Sequence, residues 1–258
     1  MSDRFEICHP ITAKWEGGWS DHAADPGGKT MYGITEAVYH AWLKAQGRSA
    51  KPVRNITLTE ALAIYRKNYW EACGAPHLVP GVDLAVYDAS VNSGVSRGVK
   101  WLKASVGSND HSTTVRKICR ARLSFMQSLR IWKTFGKGWG RRVADIEVRG
   151  VAMALTFMGA TASRIRADAK AEAEAAKTAA KRTEAAATAT GAGGAATGAT
   201  GGSGGVTNAI LPDGVGIDGP TLWVLGGIAA LALCAAALLY IRKRAHEARA
   251  DAYEGAAA

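Results

Sequence analysis

Two carboxylic acids, Glu16 and Asp25, stand nine positions apart in the stretch Trp15–Thr35, WEGGWSDHAADPGGKTMYGIT. Glu16 follows a run compatible with a short helix (Ile7, Ile11, Thr12, Trp15) and is flanked by Trp15 and Trp19. A carboxyl group held among indoles is desolvated, which favours its protonated form. Such an acid can hand a proton to a leaving oxygen near neutral pH. Gly17 and Gly18 remove side chains just beyond it, so that a bulky polymer can approach the backbone. Asp25-Pro26-Gly27-Gly28 reads as a turn, and Lys29 to Thr35 as a short strand or hairpin arm. An acid at a helix end and a second carboxylate at a turn can face each other across a cleft, as cleavage between sugars requires. Spacing alone leaves the bland alternative open, in which Glu16 pairs locally and Asp25 only starts a turn.

The elements that must position these groups are mostly helices. Leu58, Ala61, Leu62, Tyr65 and Tyr69 fall at helical spacing behind a Thr57/Glu60 capping box. Val82, Ala85, Val86 and Ala89 mark a further helix closed by Asn92-Ser93-Gly94, with Asp88 among its apolar residues as a buried, partnered carboxylate in preference to a direct substrate contact. Val115, Ile118, Phe125, Met126, Leu129 and Trp132 form a third stripe, with Arg116, Lys117, Arg120 and Arg130 off it. Those cations form either a solvated face or a contact to anionic wall polymers or phospholipid.

Several strings, in order, resemble glycoside hydrolase family 108, the N-acetylmuramidases of bacteriophage endolysins and related secretion-activating proteins. They are the EGGW…DPGG.T.YGIT string, the segment Thr57-Leu58-Thr59-Glu60-Ala61 through Tyr65 to Tyr69-Trp70, the segment Asp83…Asp88-Ala89-Ser90-Val91-Asn92-Ser93-Gly94, and Gly138-Trp139-Gly140-Arg141-Arg142-Val143. The resemblance spans about residues 5–160. It implies a lysozyme-like fold, Glu16 as general acid, and a C-terminal peptidoglycan-binding region. The order Glu, Asp, Thr also resembles the triad of phage lysozymes, which implies Asp25 and Thr30 as partners of Glu16. Here four residues separate that pair where the phage pattern has five. Asp21 is the other nearby carboxylate. Trp15, Gly17, Gly18, Trp19 and Tyr32 are the expected substrate contacts, and no metal or organic cofactor is implied.

Charge is unevenly spread. Residues 1–165 hold 23 Lys and Arg against 13 Asp and Glu, whereas residues 166–258 hold 9 of each. The basic character therefore belongs to the first part and favours polyanions. Nucleic acid is excluded as the expected partner, since cations and aromatics are not interleaved. The four cysteines lack CxxC or metal-ligand spacing and read as reduced thiols.

The C-terminal part reads as an anchor. Residues 163–220 form an Ala/Gly-rich linker, helical and solvated over Arg164–Thr188 and flexible over Thr190–Gly205. Residues 221–241 carry no charge and are long enough for a transmembrane helix. Arg242, Lys243 and Arg244 then begin a cytoplasmic tail, residues 242–258. Gly226, Ala230 and Cys234 form a small-residue stripe that allows weak self-association. The first ten residues lack the apolar run of a secretory signal.

The expectation is thus an α+β, predominantly α chain. A lysozyme-like catalytic region with a small β-hairpin (1–94) is followed by a helical peptidoglycan-binding-like region (95–162), a linker and one C-terminal transmembrane helix. Its expected function is cleavage of the bond between N-acetylmuramic acid and N-acetylglucosamine in peptidoglycan, by a phage endolysin acting in host cell lysis. It would be held in the host inner membrane with its head on the periplasmic side. The alternatives are a lytic transglycosylase and a membrane-anchored module that binds peptidoglycan without turnover.

Overall fold

The computed structural model describes residues 3–21, 28–198 and 219–258, without the side chains of 190–198, 219–230 and 232–233. The chain divides into two compact units, Met1–Ala167 and Asp168–Ala258.

In the first unit, α1 (Arg4–Ala13) starts where the Asp3 carboxylate accepts the Phe5 N–H at 3.0 Å. Its buried face is Phe5, Cys8, His9 and Thr12, so that of the run Ile7, Ile11, Thr12 and Trp15 only Thr12 is buried. The reason is aromatic packing: Phe5 stacks on His9 and meets Trp70 and Tyr87 edge-on, while His9 Nδ1 is 2.7 Å from the Tyr87 hydroxyl.

Two strands of two residues each follow, β1 (Thr30–Met31) and β2 (Ile34–Thr35), paired antiparallel with Thr30 opposite Thr35. The two-residue turn between them has positive φ at both Tyr32 (52°) and Gly33 (74°), the backbone that matches the twist of a tight hairpin. Ser20 bridges the outer side of Thr30. α2 (Glu36–Ala45) and α3 (Leu58–Tyr65) come next, the latter opened by the full Thr57/Glu60 capping box. A π-helical turn over Arg66–Glu71 extends α3.

At the centre lies α4 (Val82–Ser93), buried from Val82 to Ser90 and packed on α1 and on three later helices. These are α5 (Val95–Ser105), α6 (His111–Gln127) and α7 (Trp132–Phe157). α6 and α7 form the most extensive helix pair. α4 and α7 meet backbone to backbone: a Cβ at Gly81 would fall 2.1 Å from the Gly150 carbonyl oxygen.

The α+β class is therefore corrected. Among the described residues the molecule is built of helices, with strand confined to that one short hairpin. Two adjacent residues per strand cannot make a layer for helices to cover, so helix-on-helix packing forms the core.

In the second unit, α8 (Ala162–Gly198) begins in the first unit and runs on into this one, and α9 spans Gly219–Ala257. α8 is not the solvated spacer that its composition suggested. Ala169, Ala173, Ala176 and Ala180 are buried along one stripe, as are Ala245, Ala250 and Tyr253 on α9. Ion pairs Arg249–Glu172 (2.5 Å), Lys243–Glu184 and Lys177–Glu254 join the two helices.

The expected transmembrane helix is also corrected. Most side chains of the apolar run 221–241 lie outside the described residues, and among the described residues no helix is long and apolar enough to cross a membrane. α9 does not stop at Ile241 but continues as a charged helix paired with α8. The single-pass anchor and the inner-membrane location drawn from it fall with that finding.

Candidate active site

Glu16 sits on the turn that ends α1, its N–H donating to the Ala13 carbonyl at 3.0 Å. Its side chain is 20% exposed. The group that meets it comes from α7: Arg142 Nη1 stands 2.7 Å from Oε1, an ion-pair contact without hydrogen-bond alignment. Arg142 is itself held from behind. Its Nη2 donates to Asp88 Oδ1 at 2.8 Å and its Nε to Asp88 Oδ2 at 3.1 Å. Arg122 Nη1 donates to the same Oδ2 at 2.5 Å, and its Nη2 to Asn92 Oδ1 at 3.0 Å.

These four charges alternate in sign from the surface at Glu16 into the core. Burial alone would raise the Asp88 carboxyl, but the charges of Arg122 and Arg142 override it and hold it below its ordinary value. Burial works against the Arg142 cation too, and Asp88 and Glu16 reverse that by stabilising it. Arg142 thus remains charged at any working pH and fixes one oxygen of Glu16.

The other oxygen faces the hairpin. A Cβ at Gly33 would fall 3.0 Å from Glu16 Oε2 and 2.4 Å from the Tyr65 hydroxyl. Gly33 is therefore required twice, by its φ and by the space Glu16 occupies. The Tyr65 hydroxyl donates to the Tyr32 carbonyl at 2.9 Å, which ties the hairpin turn to α3. Burial and then the charge of Glu16 raise both Tyr65 and Tyr69 above the ordinary tyrosine value. Both stay protonated and can only donate or accept hydrogen bonds.

The two tryptophans are turned to other partners. Trp15 Nε1 donates to Asp145 Oδ2 at 3.1 Å, and Lys14 Nζ lies 2.7 Å from the same oxygen. Burial pushes the Asp145 carboxyl up, but Lys14, Arg149 and Trp15 together hold it below its usual range. Trp19 is 39% exposed, with the Arg54 guanidinium over its ring at 5.2 Å. A Cβ at Gly17 or Gly18 would meet nothing within 4 Å, so packing does not explain either glycine. The Thr30 hydroxyl donates to the Gly28 carbonyl at 3.1 Å. Tyr32 is 37% exposed and Asp21 is exposed. Asp25 lies outside the described residues.

The structure therefore brings Glu16 together with Arg142, Gly33 and Tyr65, none of which the reading of the residues had placed at the site. Gly33 and Arg142 do stand inside motifs visible in the sequence, YGIT and GWGRRV. Tyr65 had been read as core.

The glycosyl hydrolase 108 family model matches residues 10–94, which include Glu16 and the hairpin but stop before α7. No curated protein matches the chain. The solved structure of Brucella abortus SagA is similar at 34% identity, covering 58% of this chain and 95% of that one, with a TM-score of 0.52. Because that likeness takes in nearly the whole of the solved relative, and the family's own model matches the part that holds Glu16, the chain belongs to the glycosyl hydrolase 108 family.

Proposed function

We propose that the protein hydrolyses the glycan strands of peptidoglycan at the bond between N-acetylmuramic acid and N-acetylglucosamine, with Glu16 as general acid. The observation that carries this reading is one partly exposed carboxyl, clamped on one side by a buried arginine and opposed on the other by a glycine it needs. Held this way, Glu16 delivers its proton to the bridging oxygen. The bond from that oxygen to the anomeric carbon breaks, and its electron pair stays on the leaving sugar. A water oxygen then adds to the anomeric carbon, and its proton passes to a carboxylate.

Asp25 is the residue we assign to that second carboxylate, with Asp21 as the alternative. Thr30 holds Gly28 at the start of the hairpin through its hydroxyl. The exposed rings of Trp19 and Tyr32 offer faces to sugars, Trp15 sets the Glu16 turn against α7, and Gly17 and Gly18 leave room for the polymer. Membership of a glycoside hydrolase family and the basic surface of the first 165 residues support a wall polymer as substrate.

The test is clearing of purified peptidoglycan by the full chain and by Glu16→Gln. A lost general acid lowers the rate by about a hundredfold or more. Equal clearing by the two proteins, or none by either, defeats the assignment. Mass spectrometry of the released fragments separates hydrolysis, which leaves reducing muramic ends, from transglycosylation, which leaves anhydro ends.

A further inference from the structure

Cations lie over aromatic rings at several places in this protein, and nearly all of them also bind an oxygen. Arg48 lies over Trp42, 5.7 Å from the ring centroid, and meets Glu60 at 2.8 Å. Arg66 lies over Phe5 at 4.4 Å and meets Asp3 at 2.6 Å. Lys14, Arg97, Arg244 and Arg249 likewise combine a ring with a carboxylate or a carbonyl. Arg54 is the exception. Its guanidinium lies over Trp19 at 5.2 Å, and among the described residues no oxygen takes its N–H groups.

Both members of this pair stand on backbone that is tied down. Arg54 itself is exposed, on a 3-10 turn over Val53–Asn55, with Val53 and Ile56 buried on either side of it. The Val53 N–H donates to Glu36 Oε2 at 3.1 Å, and the turn packs on β1. Trp19 precedes Ser20, whose N–H donates to the Thr30 carbonyl at 2.9 Å and whose carbonyl accepts the Thr30 N–H at 2.9 Å. Gly33, in the turn of the same hairpin, lies against Glu16 Oε2. Trp19 is three residues past Glu16, so their Cα atoms are at most about 11 Å apart. The unspent guanidinium therefore stands beside Glu16, on the hairpin that faces it.

A guanidinium laid on an indole keeps its planar fork of donors oriented, and that fork matches the two oxygens of a carboxylate. We propose that Arg54, held over Trp19, binds a carboxylate carried by muramic acid. It is then a specificity-determining residue, which favours acidic wall strands over neutral polymers of N-acetylglucosamine. Muramic acid differs from glucosamine by a lactyl ether. Its carboxyl is free in bare strands and amide-linked in strands that bear stem peptides, which bring carboxylates of their own. Either source offers Arg54 the same group. The general excess of cations in the first 165 residues draws in any polyanion, whereas one oriented fork selects the sugar that carries the charge. This deepens the peptidoglycan reading above and rests on it.

The experiment is a cycle of titrations into the full chain carrying Glu16→Gln, with and without Arg54→Gln. The ligands are bare glycan strands, the same strands with their lactyl carboxyls capped as methyl amides, and strands that keep their stem peptides. With Arg54 present, the charged strands bind about fivefold tighter than the capped ones. Arg54→Gln removes that difference and leaves the affinity for capped strands unchanged, and Arg54→Lys restores only part of it because the fork is lost. A loss confined to the stem-bearing strands supports the same contact and assigns the carboxylate to the stem. Equal weakening of charged and capped strands overturns the proposal, since Arg54 would then only steady the Trp19 ring. Unchanged affinity for every ligand, or no binding of any strand by the parent, overturns it too. An exposed substitution leaves the melting temperature at the parent's value. The clearing assay is read separately. If the wild type and Glu16→Gln clear alike, the hydrolase reading fails while the titrations still decide the role of Arg54.

Discussion

In the first unit the charges that matter are out of water. The side chains of Asp88, Arg122 and Arg142 are 0%, 1% and 5% exposed, and Glu16 alone reaches the surface at 20%. In the second unit the Arg249–Glu172 pair is largely covered, but the other two pairs between α8 and α9 reach into solvent. Glu184 and Glu254 are 55% and 48% exposed where they meet Lys243 and Lys177. Both regions pair acid with base, but the physics differs. Burying a charge is costly unless every partner is present, so the chain from Asp88 to Glu16 has one stable arrangement. An exposed pair gains little and is easily replaced by water. The buried network fixes the position of a reactive group, whereas the exposed pairs only register two helices already joined by buried alanines.

The largest effect should come from Asp88. Asp88→Ala leaves two buried guanidinium groups without their carboxylate and should cost about 3–5 kcal/mol in urea unfolding. A loss near zero would break the contrast between the regions.

The aromatic cluster around His9 should give a pH effect almost as large. Burial lowers His9 to about 4 from the ordinary imidazole value of about 6.5. The unfolded chain therefore takes up a proton between these values and the folded one does not. Stability is full above pH 6.5 and falls towards pH 4, by about 3 kcal/mol in all at 1.36 kcal/mol per unit. Unfolding of wild type and His9→Gln across that window should show the slope in the first and a flatter line in the second.

Arg142→Lys should keep a charge between Asp88 and Glu16 but lose the planar fork that holds both. We expect the fold to survive, kcat to drop by about tenfold with KM little changed, and the pH–rate profile to shift. A purely structural role would leave that profile where it is. Lys243→Ala, at the other extreme, should not measurably shift the melting of the chain or its activity, and a clear loss would show that the exposed pairs do more than register the two helices.

Parts of this molecule were legible locally. The Thr57/Glu60 capping box is complete in one turn of chain, and Asp88 among apolar residues could be read as a satisfied buried acid. Other parts were not. Ile7, Ile11 and Trp15 keep helical spacing as well as Phe5, Cys8, His9 and Thr12 do, and only the aromatic neighbours from α3, α4 and the π turn choose the buried face. The alanines of α8 carry no strong hydropathy signal and become a packed stripe only beside α9. The apolar run 221–241 misled for the related reason that hydropathy names a preference and not a location.

By itself the sequence determined the helix start at the Thr57/Glu60 box, the uneven charge and the position of Glu16 just past a helix end. Each depends on bonds or sterics that reach only a few residues. Which cation would meet Glu16 was decided by the tertiary structure alone. Among the many arginines and lysines of the first unit, only the crossing of α7 over α4 singles out Arg142, because its guanidinium satisfies Asp88 in the core and reaches Glu16 from there.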